Sequence, residues 1–350
     1  MSPDVDPSSD EPEARPQHNI LVSIPRTASN LVTHLLALPT QPSVLAHPRN
    51  GYFYLPALSA RYKHATFTRP LAAWSASERE SLQGALSQSA SAWQTWVADA
   101  DKTGKATYVK EHVNWMLAPG IESAVLDARS ANAAAARGPA HSRTAEAPRN
   151  PTAVPDAFWP RVRTTLLIRH PALTFPSTLR AALANEGLDT VVGRESERVM
   201  RWECTYEWHV SLYRFLIALA LPDGQEPLIV DASQLQDPGF VRGYAKEVSL
   251  DAGLVRTSWN PASPEEQRRL HAVERRMKDT LLASNGVLVS KLSSHGIDIE
   301  AEKGRWAVEF GLQLTQRLEV LVDRAMEDYQ WLYERRWRGS VDEGGSVASD

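Results

Sequence analysis

The chain has 350 residues, of which 43% are hydrophobic, and its formal net charge is −4. This composition is that of a globular protein with a sizeable core, and the acidic balance argues against a general nucleic-acid-binding protein. The single cysteine, Cys204, excludes an intramolecular disulfide and any metal site built from cysteines, and we expect a reducing, cytoplasmic location.

Both ends of the chain and one internal stretch lack the periodicity of folded elements. Residues 1–17 are predicted to be a disordered lead, since they carry acidic residues, Pro and Ser where a signal peptide needs basic and apolar ones. Residues 18–338 are predicted to form a single α/β domain, with a disordered insertion at 128–156 and a disordered tail at 339–350. No apolar run approaches the roughly 20 residues that span a bilayer, so we expect no membrane attachment.

The first folded unit is a strand, a tight turn and a helix. Residues 20–24 are apolar and partly β-branched, as in a strand that is buried on both faces, and Pro25 ends it because proline has no N–H for the ladder. Apolar residues then recur at helical spacing over 31–38. The turn at 25–30 therefore lies at the start of a helix, where unpaired amides and the helix dipole favour an anion.

The side chains of this turn suit a phosphate. After Pro25 come a guanidinium group, a hydroxyl, a small residue, a second hydroxyl and an amide, in the order Arg26, Thr27, Ala28, Ser29 and Asn30. The turn has neither the glycines nor the lysine of the Walker loop. An ordinary capped turn between a strand and a helix remains the alternative.

Aromatic residues fill the following loop, residues 39–56. Because such a loop beside a nucleotide site can line a substrate or adenine pocket, we regard four residues as candidate substrate contacts: His47, Tyr52, Phe53 and, further along, Trp115. The alternative is that these side chains are simply part of the core.

A second strand is predicted at 107–109 and leads directly into Lys110, Glu111 and His112. Ligand sites of open parallel sheets lie at the carboxyl ends of strands, so Lys110 and His112 are candidate catalytic residues. A structural or surface role remains the alternative for His112.

A third strand is predicted at 164–168, followed by Arg169, His170, Pro171 and a helix. Ser177 lies eight residues after Arg169. A guanidinium group can bind a phosphate with two parallel hydrogen bonds, and a serine adds a third donor. We therefore predict a phosphate at this strand end, although an exposed arginine after a strand is the simpler reading of the segment alone.

The remaining elements are predicted from their hydrophobic periodicity. They are a helix at 77–98 with a capping box of Ser77 and Glu80, an aromatic-rich helix at 199–221, a strand at 227–231, and helices at 238–248, 263–283 and 301–336.

Three of these segments together resemble the PAPS-dependent sulfotransferases, in a divergent form often met in fungal secondary metabolism. Family members carry P-[KR]-[ST]-[GA]-[ST] after the first strand, K-x-H after a later strand, and [IL]-x-R-[DNH]-P with a serine eight residues after the arginine. Residues 25–29, 110–112 and 167–177 match these patterns. The resemblance implies a three-layer P-loop fold with a central, mainly parallel sheet flanked by helices.

The resemblance also implies roles for the matching residues. The 5′-phosphosulfate of PAPS would lie on the turn from Arg26 to Asn30, and its 3′-phosphate on Arg169 and Ser177. His112 would be the general base, with Lys110 and Arg26 near the bridging oxygen. The acceptor would be a hydroxyl or amine of a small, apolar or aromatic metabolite, and no metal would take part.

The sequence departs from the family pattern in three places. Ala28 stands where glycine is common, Arg26 replaces the usual lysine, and the basic R-K-G loop near the C-terminus, which contacts the 3′-phosphate in the family, is missing. Lys291, Arg335 or Arg336 could substitute for that loop, and the sequence does not choose between them.

Two other functions fit the same residues. One is a nucleotide-dependent phosphotransferase or hydrolase, which would need Mg²⁺. The other is a non-catalytic descendant of the fold that binds a nucleotide or a metabolite. The oligomeric state is not predicted.

Overall fold

The structure, a computed structural model, describes residues 17–131, 148–294 and 296–339. Four strands form the central sheet: β1 (His18–Ser23), β2 (Tyr108–His112), β3 (Val162–Ile168) and β4 (Leu228–Asp231). Their order is β2-β1-β3-β4, and all three pairings are parallel. Every strand residue is buried, as apolar runs between two helical layers require.

Helices cover both faces of the sheet. In the described part of the chain they are α1 (Ser29–Leu35), α2 (Leu55–His64), α3 (Ala76–Lys102), α4 (Val113–Met116), α5 (Pro119–Ala131), α6 (Pro171–Glu186), α7 (Leu188–Val192), α8 (Arg194–Glu203), α9 (Glu207–Ala218), α10 (Pro238–Glu247), α11 (Pro264–Arg269), α12 (Ala272–Met277), α13 (Asp279–Ala283), α14 (Val289–Leu292) and α15 (Ile299–Glu334).

Alternation along β1 divides the core into two layers. Ile20 and Val22 join a large cluster that contains residues of α3, α6, α9 and α15. Leu21 points to the other face and joins a smaller cluster with residues of α1 and α10. Successive side chains of a strand point to opposite faces, so one apolar run serves both layers. The predicted α/β fold with a central parallel sheet flanked by helices is confirmed.

The strand register brings the predicted site residues to one edge of the sheet. Ser23 lies opposite His112, and Ile168 lies opposite Asp231. The turn after β1, the end of β2 and the exit of β3 are therefore neighbours, because the carboxyl ends of parallel strands share an edge.

Three predicted helices differ in the structure. The capping box of α3 uses Ser75 and Glu78 rather than Ser77 and Glu80. Both pairs have the same spacing, but only Ser75 has the extended backbone that an N-cap needs. The helix predicted at 199–221 is two helices, α8 and α9, since the segment between them brings Tyr206 into hydrogen bonds with the backbone of Arg169.

The prediction of one continuous helix at 263–283 was also wrong. The segment forms three short helices, α11 to α13, with breaks at Leu270 and Lys278. Contacts with distant residues fix this path, including the bond from Arg26 Nη1 to Met277 O at 3.2 Å. Tertiary contacts of this kind override the helical pattern.

The predicted insertion at 128–156 was wrong for part of its length. Helix α5 includes residues 128–131, and Thr152 pairs with Leu117 in an antiparallel bridge. Asn150 fixes the turn before this bridge by accepting the Thr152 amide at 2.9 Å. Residues 1–16, 132–147 and 340–350, on which the other predictions of disorder fall, lie outside the described residues. None of the described helices is both long and apolar enough to cross a membrane.

Candidate active site

The turn between β1 and α1 has an unusual backbone. Arg26 and Ala28 have φ values of 68° and 71°, in the left-handed region that L-residues rarely adopt. Ala28 is the N-cap of α1, and its carbonyl accepts the amides of Leu31 and Val32 at 2.9 and 3.1 Å. Left-handed residues turn successive amides toward one side of the chain, which is the geometry of an anion-binding concavity. Glycine adopts the backbone conformation seen at Ala28 with less strain than alanine does.

The side chains of the turn have different roles. Thr27 is fully buried, and its hydroxyl donates to Ile24 O at 2.8 Å, so this proton is committed to the turn itself. The predicted contact of the Thr27 hydroxyl with a phosphate stays a prediction, since in this conformation the hydroxyl bonds within the turn. Asn30 accepts a hydrogen bond from Lys110 Nζ, and Ser29 bonds to the Tyr52 hydroxyl.

Lys110 is a buried cation one strand away from the turn. Its ammonium group lies 4.7 Å from the centre of the Tyr52 ring. Burial, reinforced by the nearby positive charge of Lys278, lowers the pKa of Lys110 to about 7. A bound anion would restore that pKa, because opposite charge favours the protonated amine.

His112 is held as a neutral imidazole. Its Nδ1 lies 2.9 Å from Ser23 Oγ, and the Ser23 hydroxyl donates to Glu111 O at 3.4 Å. We therefore assign the ring proton to Nδ1, which leaves the lone pair on Nε2 facing the Tyr52 hydroxyl at 3.5 Å. Burial, with Lys110 nearby, lowers the pKa of His112 to about 3. The ring is therefore neutral at pH 7, with the lone pair of Nε2 unprotonated, which is the state that a general base needs.

Arg169, Arg26 and Ser177 form one group. Arg169 Nη1 donates to Arg26 O at 2.7 Å, and Arg26 Nε donates to Ser177 Oγ at 3.0 Å. Burial lowers the pKa of Arg169 to about 10. Its Nε is buried and has no partner among the described residues. A buried N–H without a partner is costly, and an anionic ligand would satisfy it.

A polypeptide segment covers this group. We call residues 264–294, which contain α11 to α14, the covering segment. Its carbonyls accept from the arginines, Met277 O from Arg26 Nη1 at 3.2 Å and Lys291 O from Arg169 Nη2 at 2.7 Å. Asp279 lies 4.0 Å from Arg26. Donors that a phosphate would use are therefore occupied by the chain itself in this conformation.

The aromatic residues lie on the other side of His112. Trp115 packs against His112 and Tyr52, with ring centres 4.6 and 5.2 Å apart. His47, Tyr52 and Phe53 line a surface cavity of about 430 Å³. Tyr52 thus lies between this cavity and His112, and it has a φ of 62°, which is strained for an aromatic residue.

The loop that carries Tyr52 is docked on the free edge of β2. Lys110 N donates to Asn50 O at 2.8 Å, and Tyr52 N donates to Lys110 O at 3.0 Å. Gly51 lies between them with a φ of 119°, and a Cβ at this position would be 2.3 Å from Lys110 O. Only glycine permits this approach. The Glu111 carboxyl accepts the Phe53 amide, and its burial raises its pKa to about 8.

Sequence reasoning missed three residues that position the site. Ser23 orients His112, Glu111 holds the loop of Tyr52, and Tyr206 bonds the backbone of Arg169 at both N and O. Ser23 and Glu111 lie at strand ends, close in sequence to predicted site residues, and this position could have identified them. Tyr206 is 37 residues from Arg169, and no local pattern marks it.

The electrostatics of the site favour an anion of several charges. Arg26 and Arg169 are largely buried guanidinium groups, and burial raises the pKa of the Glu111 carboxyl, which neighbours Lys110. The site therefore carries more positive than negative charge, which suits a ligand with several negative charges. Within the described part of the chain, no three His, Cys, Asp or Glu side chains cluster closely enough to hold a metal ion.

Two sulfotransferases are similar to the chain over nearly its whole length. Sulfotransferase ppzF of Metarhizium majus (strain ARSEF 297) is 31% identical over 341 residues, which cover 93% of this chain and 98% of that protein. Sulfotransferase ppzF of Metarhizium rileyi (strain RCEF 4871) is 31% identical over 339 residues, which cover 93% and 97%. No family model and no solved structure matches the chain. By this similarity the chain belongs to the sulfotransferase family, as a divergent member of the fungal type.

Proposed function

We propose that the protein transfers a sulfuryl group from PAPS to a hydroxyl or amine of a small, apolar or aromatic molecule. The observation that carries this proposal is the convergence of Arg26, Lys110 and Arg169 at the strand ends, with the lone pair of His112 Nε2 on the side of the aromatic cavity. PAPS, when bound, supplies the sulfuryl group that is transferred and the phosphate that departs.

Each residue has a distinct task in this proposal. His112 Nε2 takes the proton of the acceptor, while Ser23 holds the ring and its tautomer. Lys110 and Arg26 stabilise the negative charge that grows on the leaving phosphate, and Arg169 with Ser177 binds the second phosphate. As in phosphoryl transfer, most of the rate enhancement comes from positioning and electrostatics.

The covering segment has to release the arginines before the donor binds. The carbonyls of Met277 and Lys291 occupy guanidinium donors that the phosphates need. Phosphate oxygens are stronger acceptors than peptide carbonyls because they are charged, so exchange of partners is favourable. We propose that the segment shifts outward and then closes over the bound nucleotide.

The same observation supports a second candidate function. A chain whose own carbonyls fill its phosphate donors can also be a non-catalytic descendant that no longer binds PAPS.

The proposal also includes a domain that extends from residue 18 to residue 338 and a cytoplasmic location.

Calorimetric titration with 3′,5′-ADP, the product of PAPS, tests the proposal. A sulfotransferase should bind it at one site per chain with micromolar or better affinity, and ATP with Mg²⁺ should bind more weakly. Tight binding and turnover of ATP with Mg²⁺, without binding of 3′,5′-ADP, would establish a phosphotransferase or hydrolase instead. No heat with either nucleotide would favour the non-catalytic descendant.

A further inference from the structure

The base of the proposed reaction does not line the aromatic cavity. The cavity of about 430 Å³ is lined by residues that include Tyr52 and Phe53, and His112 is not among them. His112 is only 6% exposed, and its Nε2 faces the hydroxyl of Tyr52 at 3.5 Å. An acceptor bound in the cavity therefore meets Tyr52 before it meets His112.

Tyr52 lies at the junction of three parts of the candidate active site. Its hydroxyl bonds to the side chain of Ser29, in the turn after β1, and faces the Nε2 lone pair of His112. Its ring lies 4.7 Å from the Lys110 ammonium group. One phenolic oxygen thus contacts both the turn that is proposed to hold the phosphosulfate and the base that is proposed to receive the proton.

The hydrogen bonds around His112 fix the direction in which a proton can move. His112 Nδ1 donates to Ser23 Oγ at 2.9 Å, and the Ser23 hydroxyl donates onward to Glu111 O. Nε2 can then only accept, so the Tyr52 hydroxyl is the donor of that pair. The phenolic oxygen keeps its lone pairs for the O–H or N–H of an acceptor. The 3.5 Å contact is long, and catalytic hydrogen bonds of a free enzyme often shorten when the substrate binds.

The protonation states of the two groups suit this direction. Burial raises the pKa of Tyr52, so its phenol is protonated at neutral pH. Burial, with Lys110 nearby, lowers the pKa of His112 to about 3, so its imidazole is neutral. A neutral phenol beside a neutral imidazole can release one proton while it receives another, and neither group has to be charged before the reaction begins.

The backbone that carries Tyr52 is strained and tightly held. Asn50, Gly51 and Tyr52 have φ values of 55°, 119° and 62°, which places three successive residues in the left-handed region. Lys110 N donates to Asn50 O at 2.8 Å, Tyr52 N donates to Lys110 O at 3.0 Å, and the Tyr52 ring packs against Trp115. Strain of this kind persists only where surrounding contacts impose it, and it is concentrated at active sites. The fold therefore holds the Tyr52 hydroxyl beside the base.

We propose that the Tyr52 hydroxyl is a catalytic group that carries the proton of the acceptor to His112. The proposal rests on the proposed function. As the acceptor oxygen or nitrogen attacks sulfur, its proton passes to the Tyr52 oxygen and the phenolic proton passes to His112 Nε2. The bond from the acceptor to sulfur forms while the bond from sulfur to the bridging oxygen breaks, and that electron pair leaves with 3′,5′-ADP. Tyr52 ends the step as a neutral phenol and His112 as an imidazolium.

The test measures single-turnover transfer of sulfate by Tyr52→Phe to two acceptors of similar size, 2-phenylethanol and 4-nitrophenol. The substitution keeps the ring and removes only the hydroxyl. The alcohol holds its proton tightly, so its maximal rate should fall about 10²-fold, while its half-saturating concentration and the affinity for 3′,5′-ADP stay within about threefold. The nitrophenol ionises readily near neutral pH and needs little help from a base, so its loss should be less than about fivefold.

Tyr54→Phe is the matched control. It makes the same chemical change two residues further along, at a buried hydroxyl that has no hydrogen-bond partner in the described part of the chain. Its rates with both acceptors should equal those of the wild type. A second measurement needs no variant and serves if Tyr52→Phe fails to fold. Because two protons move in the proposed step, the wild-type rate with 2-phenylethanol should depend on the deuterium fraction of the water along a curve, and a straight line would overturn the relay.

Each other result overturns the inference in a distinguishable way. Wild-type rates in Tyr52→Phe with both acceptors would remove the hydroxyl from the reaction and leave the proposed function intact. Equal losses with the alcohol and the nitrophenol would assign Tyr52 a structural role. Sulfate found on Tyr52 itself by mass spectrometry would make this residue an acceptor instead of a relay. A wild-type protein that transfers sulfate to no alcohol, phenol or amine would refute the proposed function and this inference with it.

Discussion

The two sides of the candidate active site are built differently. The proposed donor side consists of a turn and side chains at the ends of β1 and β3, which the sheet fixes relative to one another. The proposed acceptor side is a loop, residues 47–54, that is docked on the edge of β2 through Gly51 and the Glu111 carboxyl. Rigid elements can recognise a constant co-substrate, while a docked loop can vary with the acceptor. Substitutions on the donor side should therefore change the affinity for the nucleotide, and substitutions on the acceptor side should change the acceptor KM.

The largest effect is expected where the two sides meet, at His112. His112→Ala should lower kcat by about 10²- to 10⁴-fold, because a general base is lost, while the affinity for 3′,5′-ADP stays within a few-fold. The control is His47→Ala. His47 Nδ1 accepts the amides of Arg49 and Gly51, so this change should affect loop stability more than kcat. Full turnover by His112→Ala would make His47 the next candidate base.

A substitution on the donor side should affect binding of the nucleotide. Arg169→Met should weaken 3′,5′-ADP about 10- to 100-fold, because it removes charged hydrogen bonds to a phosphate, while KM for the acceptor changes little. The matched control is Arg180→Gln, since Arg180 pairs with Glu309 at the surface. Equal affinity of Arg169→Met and the wild type would remove Arg169 from the phosphate site.

A substitution on the acceptor side should raise the acceptor KM and leave the affinity for 3′,5′-ADP nearly unchanged. Gly51→Ala places a Cβ against Lys110 O and should destabilise the fold by about 1–3 kcal/mol and raise the acceptor KM, with little change in 3′,5′-ADP affinity at a temperature where the protein is folded. Gly104→Ala is the control. It has a positive φ of 64° as well, but no atom lies within 4 Å of the added Cβ. Similar losses in both variants would show that docking on β2 is not the cause.

The pH dependence should show a smaller effect, centred on Lys110. Its pKa in the folded protein is lowered to about 7, so the free enzyme loses this charge as the pH rises through 7, and kcat/KM for the donor should fall by up to tenfold per pH unit above that value. His112 should add no inflection to the pH–rate profile near the ordinary pKa of histidine, because its own pKa is lowered to about 3. Lys110→Arg should remove the fall. A pH profile that is unchanged in this variant would contradict the assignment.

The change in stability with pH that Lys110 causes can be measured on the same samples, and its direction is predicted. The folded protein binds the Lys110 proton less tightly than the unfolded chain, whose lysine pKa is roughly 10. Between about pH 7 and 10 this group therefore makes the protein more stable as the pH rises.

The convergence of Arg26, Lys110 and Arg169 could be predicted from the sequence because its signals are local. Arg26, Lys110 and Arg169 each follow an apolar run, and the rule that parallel strands share a carboxyl edge brings them together. The covering segment could not be predicted in this way. Its path depends on contacts with Arg26 and Arg169, which are more than 100 residues away in the chain. The same holds for Tyr206, whose long-range hydrogen bonds coincide with the break between α8 and α9.

Transfer of radiolabelled sulfate from PAPS to a panel of phenols, alcohols and amines tests the central claim most directly. The wild-type protein should form a labelled product and release 3′,5′-ADP in equal amount, and His112→Ala should form less than about 1% as much. Tight binding of 3′,5′-ADP without labelled product from any acceptor class would contradict catalysis and assign the chain to the non-catalytic descendants of the fold.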